Sequence, residues 1–187
     1  MKGTGKKGGA AQPLAAKPLV AILMGSDSDW GVMATASERL TSFGVAHEAH
    51  VLSAHRSPEG TAVFARDAKK RGLKVFICGA GAAAHLAGAV SAQTTLPVLG
   101  VPLDASGLGG LDALLATVQM PAGIPVGTLA IGKAGADNAA ILAVQILALA
   151  DAGLAAKLDD HKAALAKGVA EKDRRLQESM GKRSGGK

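Results

Sequence analysis

The sequence predicts an α/β domain built on a doubly wound parallel sheet, with helices on both faces and a helical extension at its C-terminal end. Three observations carry this prediction. Five short apolar runs alternate with segments of helical character, most runs end in a loop rich in Gly, Ser, Asp or Pro, and the final segment is long and charged. Strands covered on both faces read as continuous apolar runs, and strand–helix alternation feeds a parallel sheet. The expected architecture is therefore three-layered and flavodoxin-like.

The elements follow in order. Leu19–Met24 is the first strand and ends at Gly25-Ser26-Asp27-Ser28-Asp29, which offers capping residues for a helix from about Trp30 to Phe43, stopped by Gly44. Val45–Leu52 is the second extended segment, closed by Ser53-Ala54-His55-Arg56-Ser57-Pro58. Ser57 and Pro58 suit the N-cap and first positions of the next helix, which runs to about Arg71 before Gly72. Leu73–Cys78 is the third strand, followed by a Gly79-Ala80-Gly81 loop and an Ala-rich helix to about Gln93. Pro97–Val101 is the fourth strand, Leu111–Val118 a short helix, and Val126–Ile131 the fifth strand. Ala136–Leu149 is apolar almost all round, so this helix should be buried on more than one side. Gly153 breaks it, and a charged helix occupies Leu154–Met180. The organisation is thus a basic disordered tail (1–17), an α/β domain (18–152), a C-terminal helix (153–180) and a second basic disordered tail (181–187).

Composition narrows the function. The hydrophobic share of 48% comes mostly from aliphatic residues, with three Phe, one Trp and no Tyr, so a nucleic-acid surface of stacked rings is not expected. The net charge of +6 belongs to the ends: residues 1–17 and 181–187 hold Lys2, Lys6, Lys7, Lys17, Lys182, Arg183 and Lys187 and no acid, leaving the body close to neutral. Solvated ends explain that pattern without a nucleic-acid partner. Cys78, the single cysteine, lies in an apolar run and reads as a small buried hydrophobe. No apolar stretch precedes Pro18, so neither a signal peptide nor a membrane span is expected, and a cytoplasmic chain fits best.

In open parallel sheets, ligands bind outside the carboxyl ends of the strands, and three loops there carry chemistry. The first, Gly25 to Trp30, precedes a helix, where free amides and the helix dipole suit an anion. Ser26 adds a hydroxyl and Asp29 an acceptor for sugar hydroxyls. The competing reading, which comes first on these residues alone, is that Ser28 or Asp29 simply caps the helix. The second loop is Ser53-Ala54-His55-Arg56, in which a guanidinium forks onto a phosphate and an imidazole moves a proton. A solvated His-Arg pair is its plain alternative. The third loop, Gly79 to Leu86, matches a dinucleotide fingerprint through Gly79, Gly81 and Ala84, with Asp104 farther on. The match is weak, because that fingerprint belongs to the first strand–helix turn. Its small residues also let a planar base approach the backbone, and His85 is either structural or part of the pocket. His47 and His50 point to opposite faces of a strand, and His161 is a surface residue on a polar helix. No metal-ligand spacing is present, and no Walker-type loop implies ATP.

Taken together, the segments Met24 to Trp30, Ser53 to Arg56, Pro97 to Pro102, Gln119 to Pro121 and Gly123 to Gly135, followed by Asn138-Ala139-Ala140, resemble the class I N5-carboxyaminoimidazole ribonucleotide mutases of purine biosynthesis. The resemblance spans about Val20 to Leu149. It implies an isomerase that moves a carboxylate from the exocyclic nitrogen of an aminoimidazole ribonucleotide to a ring carbon, giving 4-carboxy-5-aminoimidazole ribonucleotide without a metal, ATP or an organic cofactor. It further implies a homo-octamer. Ser26, Ser53 and Arg56 match the phosphate positions, Asp29 the ribose contact, Ala80 and Gly81 the backbone against the base, His55 the proton-transfer residue, and His85 a pocket histidine. Two departures stand out: the family's Gly-Gly-Ala-Ala-His-Leu-Pro-Gly has Ala82 in place of a Gly and Ala87 in place of the Pro. Arg56 stands where the related class II carboxylases, which take free carbon dioxide, carry Lys. Such a carboxylase is the first alternative, and a non-catalytic nucleotide-binding module the second. A third makes the basic tails the point, with RNA or a membrane as partner.

Overall fold

Val20–Met24 (β1) is apolar and buried at every position, as a strand covered on both faces must be. It is flanked by His47–Val51 (β2) and Val75–Gly81 (β3), and Val98–Leu103 (β4) and Gly127–Thr128 (β5) extend the sheet beyond β3. All pairings are parallel, in the order β2-β1-β3-β4-β5, with Met24 opposite both Val51 and Gly79. The chain reverses direction across the sheet between β1 and β3, which opens a crevice at their carboxyl ends. This computed structural model describes residues 17–184.

The helices are Trp30–Phe43 (α1), Pro58–Arg71 (α2), Leu86–Ser91 (α3), Leu111–Val118 (α4), Lys133–Ala148 (α5) and Ala152–Ser184 (α6). Alternation along β1 sorts the core into two halves. Val20, Ile22 and Met24 meet Met33, Leu40 and Phe43 of α1 and Ala136, Ala140 and Val144 of α5. Ala21 and Leu23 meet Ala65 and Ala68 of α2 and Leu86, Ala87 and Val90 of α3. Small residues on α5 let it come close to the sheet, and at Gly135 an added Cβ would stand 1.6 Å from the Ala130 carbonyl oxygen. Helix α5 is sandwiched by α1, α6 and strands β3 and β4, as its all-round apolarity predicts. Arg39 of α1 grips Asp137 of α5 through two hydrogen bonds of 2.6 and 3.2 Å.

Several boundaries differ from the expectation, each for a physical reason. Strand β3 does not stop at Cys78 but runs through Gly79-Ala80-Gly81, because Ala80 and Gly81 pair with Pro102 and Leu103 of β4. Strand β4 continues past Val101 through Pro102. The carbonyl of Pro102 accepts from the Gly132 amide on the β5 side, so its missing N–H also faces a side where β5 has already ended at Thr128. Strand β5 keeps only two residues of the six expected. Helix α3 ends at Ser91 rather than Gln93, and α6 runs on to Ser184. The tails expected at 1–17 and 181–187 lie outside the described residues, apart from Lys17 and the end of α6. Ser57 takes the N-cap position of α2, but its hydroxyl turns back, accepting from the Ser53 amide at 2.9 Å and donating to the Ser53 carbonyl at 3.2 Å.

Candidate active site

The carboxyl ends of β1, β2, β3 and β4 surround a cavity of about 520 Å³. It is lined by Ser26 and Asp29 after β1, by Ser53, His55 and Arg56 after β2, by Ala80 and Gly81 at the end of β3, and by Ala105 after β4. Seven of the eight expected site residues thus share one wall, although they span residues 26 to 81. The eighth, His85, reaches the site through His55. A larger hollow of about 590 Å³, bordered by Ser91 to Leu99 and Gly123 to Gly127, carries no charged or titratable lining side chain and so has no acid–base chemistry to offer.

The first loop folds as a single 3-10 turn over Asp27–Asp29, joined directly to α1. Ser26 caps it: its oxygen accepts from the Ser28 amide at 3.3 Å, and the Asp29 carboxylate accepts in return from the Ser26 amide at 3.0 Å. Ser26 thus caps the turn, while Asp29 holds the N-cap position of α1 as expected but turns its carboxylate back to close the box rather than bonding the helix. This reciprocal box occupies amides that the sequence offered as free anion donors. The polar groups that this loop and its neighbour leave facing the cavity include the hydroxyls of Ser26 and Ser28 and the Arg56 guanidinium. Burial raises the Asp29 carboxyl above its ordinary value of 3.8, and the amides of Ser26 and Gly25 and the Arg56 guanidinium oppose that rise without cancelling it.

The second loop is locked by its own hydroxyls. The Arg56 amide donates to Ser53 Oγ at 3.1 Å, and Thr61 Oγ1 donates to the carbonyls of Ser53 and Ser57. Arg56 Nη2 donates to the Gly25 carbonyl at 2.8 Å, which ties the loop after β2 to the loop after β1 and leaves its other donors for a ligand. His55 Nε2 lies 2.8 Å from His85 Nδ1, with the rings edge-on at 80°. One cation, three hydroxyls and an imidazole pair thus stand around a cavity floored by small residues.

The third segment departs most from its sequence reading. Because β3 runs through both glycines of the dinucleotide pattern, the turn into α3 falls on residues 82–85 and neither glycine lies in it to cradle a pyrophosphate. Gly79 is small for packing, since a Cβ would stand 2.4 Å from Met33 Sδ, and at Gly81 it would stand 2.4 Å from the Ala105 methyl. Ala82 follows with φ of 50°, the sole described non-glycine residue in the left-handed region. Ser28 and Ala105 are lining residues that were not singled out as site residues. For Ala105 the available signal was its position just beyond a strand end. The remaining histidines are structural: His47 bonds Ser37 Oγ and the Val45 carbonyl, His50 packs on Phe64, and His161 is half-buried with its ring 5.6 Å from that of Phe43 rather than standing free on the surface. Burial pushes the Cys78 thiol far up, as befits a core residue.

Comparison with known proteins bears on the family and the fold. The family model described as AIR carboxylase matches residues 19–168. The chain is 55% identical over 153 residues to an N5-carboxyaminoimidazole ribonucleotide mutase of Brucella melitensis, covering 82% of this chain and 94% of the relative. It is 51% identical over 170 residues to the protein of that name in Mycobacterium tuberculosis, covering 91% and 97%. Among solved structures, Treponema denticola PurE superposes with a TM-score of 0.77 at 28% identity, covering 85% of this chain and 98% of that one.

Proposed function

The chain belongs to the AIR carboxylase family, and from that premise we propose that the cavity at the carboxyl ends of β1–β4 is where it carries out its reaction. That reaction is the isomerisation of N5-carboxyaminoimidazole ribonucleotide to 4-carboxy-5-aminoimidazole ribonucleotide, a step of purine biosynthesis. The observation that carries the assignment of the site is convergence: residues matching the phosphate, ribose, base and proton-transfer positions come from separate strand ends and border one cavity.

The geometry divides the labour. Arg56, Ser26 and Ser53 hold the phosphate, with Arg56 supplying charge and the hydroxyls direction. Asp29 accepts from the ribose, and the backbone of Ala80 and Gly81, free of bulky side chains, takes the flat face of the imidazole. His55 then moves a proton twice. As the carbamate C–N bond breaks, the exocyclic nitrogen gains a proton and carbon dioxide is released. The ring carbon attacks that carbon dioxide, and the hydrogen it still carries leaves as a proton, restoring aromaticity. One imidazole serves both transfers, so the proton balance is zero. With the ribonucleotide filling the cavity, little room is left for water beside the reacting carbon, which keeps the carbon dioxide from being lost.

Two further statements belong to this reading. The enzyme works in the cytoplasm, and among the described residues no helix is long and apolar enough to cross a membrane. It assembles as a homo-octamer. Since α5 is largely covered within the chain, the apolar surface open to a second copy is α4 with the turn before it, where Leu108, Leu111, Leu115 and Val118 are all exposed. The decisive assay supplies the purified chain, in the presence of a chelator and without ATP, with either the carbamate ribonucleotide or aminoimidazole ribonucleotide plus bicarbonate. Turnover of the first is expected, and turnover of the second alone would overturn the reading in favour of a carboxylase.

A further inference from the structure

The contact between His55 and His85 has a chemical consequence beyond the proton-transfer role of His55, on which the following rests. We propose that His85 is a positioning residue: its Nδ1 accepts a hydrogen bond from Nε2–H of His55 throughout the reaction, fixing the orientation and tautomer of that ring so that His55 Nδ1 is the nitrogen that exchanges protons with the substrate.

A separation of 2.8 Å between two ring nitrogens requires one proton between them and one lone pair. The proton sits on one of the two rings. If it sat on His85, neutral His55 would carry its remaining proton on Nδ1 and have no lone pair left for the substrate. It could not then take the proton from the ring carbon. If the proton sits on His55 Nε2, the other nitrogen is free to cycle: His55 gives a proton from Nδ1, becomes neutral with its lone pair there, and takes a proton back at the same atom. Only this arrangement lets one imidazole perform both transfers without turning its ring. It also keeps His85 neutral as an acceptor, which avoids two imidazolium rings at a centroid distance of 5.0 Å.

The backbone of His85 is held for this purpose. Its amide donates to the Ala83 carbonyl at 2.8 Å, the Ala84 amide to the Ala82 carbonyl at 2.9 Å, and its own carbonyl accepts from the Ala89 amide at 2.9 Å. Buried Ala84 and Leu86 on either side anchor the segment in the core. His85 is absent from the cavity wall while His55 lines it, as expected of a residue that acts through another.

The test uses the whole chain with ¹⁵N-labelled histidine; with five histidines in the sequence, the rings are assigned by single substitutions. Coupling across the hydrogen bond between His55 Nε2 and His85 Nδ1, with the proton on His55, is expected. In parallel, His85→Leu removes the acceptor, whereas His85→Asn keeps an oxygen near the place of Nδ1. The Leu variant should lose about tenfold or more in kcat with KM little changed, and the Asn variant should recover to within about threefold of the native rate. Finding the bridging proton on His85, or equal rates for the Leu and Asn variants, overturns the proposal. Failure of the underlying role of His55 shows differently, as turnover that survives His55→Asn.

Discussion

Replacing Arg56 with Ala separates binding from chemistry and folding. In the free protein the guanidinium is exposed, and its one intramolecular hydrogen bond runs from Nη2 to the Gly25 carbonyl. Loss of an exposed bond of this kind costs at most about 1 kcal/mol of stability, so the variant should fold. The larger effect is on substrate. A charge-assisted contact to a phosphate is worth on the order of 2–4 kcal/mol of binding, which at about 1.4 kcal/mol per decade becomes a rise in KM of roughly 30- to 1000-fold. The turnover number should change far less, because the guanidinium holds the part of the substrate that does not react. Steady-state kinetics on the carbamate ribonucleotide and calorimetric binding of the product give both quantities. Binding of the corresponding nucleoside, which lacks the phosphate, should be nearly the same in native and variant proteins. Arg56→Lys should recover only part of the loss, since an ammonium keeps the charge but not the fork. An unchanged KM for Arg56→Ala would refute the phosphate assignment, and a collapse of kcat at constant KM would place Arg56 at the reacting end.

Four other outcomes are expected. His55→Asn should lower turnover by about 10²–10⁴-fold while product binding persists; retention of turnover, with loss in His85→Asn instead, would reverse the two assignments. Because burial holds the Asp29 carboxyl above 3.8, the folded protein binds more protons there than the unfolded chain, and this group's contribution to stability falls as pH rises through the window just above 3.8. Asp29→Asn should therefore flatten the decline in stability across that window, read by denaturant midpoints against pH, while weakening substrate binding; an unchanged profile would count against it. Ala82→Gly, which relieves a left-handed alanine, should raise stability by roughly 0.5–1 kcal/mol after the entropic cost of glycine, and a lowered melting temperature would contradict the strain. Light scattering should report an octamer at micromolar concentration, and a stable monomer would remove the role given to the exposed face of α4.

The sequence made the scaffold legible where a local signal and the tertiary demand agreed. Helix α1 begins at Trp30 and stops at Gly44 as read, because a left-handed Gly44 (φ of 74°) is the commonest way to end a helix. Likewise α4 and the span of α2 need only local rules. What local rules missed was decided by partners distant in sequence. Gly79-Ala80-Gly81 has loop composition but strand geometry, because β4 supplies a partner and Met33 needs the room. The hydroxyl of Ser57 abandons its cap because the Ser53 amide and carbonyl stand beside it. That the loops after β1, β2 and β3 border one cavity was readable from their places at strand ends, but the arrangement of their side chains was not. Nothing in the spacing of His55 and His85, thirty residues apart, announces that the two rings touch.

The two departures from the family pattern near this contact now differ in meaning. Ala87 is buried in the core against β4, its methyl 3.4 Å from where a Cβ on Gly100 would stand. As the second residue of α3 its amide is one that a helix leaves without an intrahelical acceptor, so a Pro there and an Ala there satisfy the same backbone. The substitution therefore concerns core packing, and Ala87 does not line the cavity. Ala82 is the opposite case. It lines the cavity, is exposed, and holds a conformation that glycine adopts freely. It stands at the rim between the end of β3 at Gly81 and the turn that carries His85 to His55. A residue that keeps a costly conformation at that hinge narrows the range of backbone positions open to the turn. The φ of Ala82 thus constrains the backbone three residues before His85, while the hydrogen bond to His55 constrains the His85 ring.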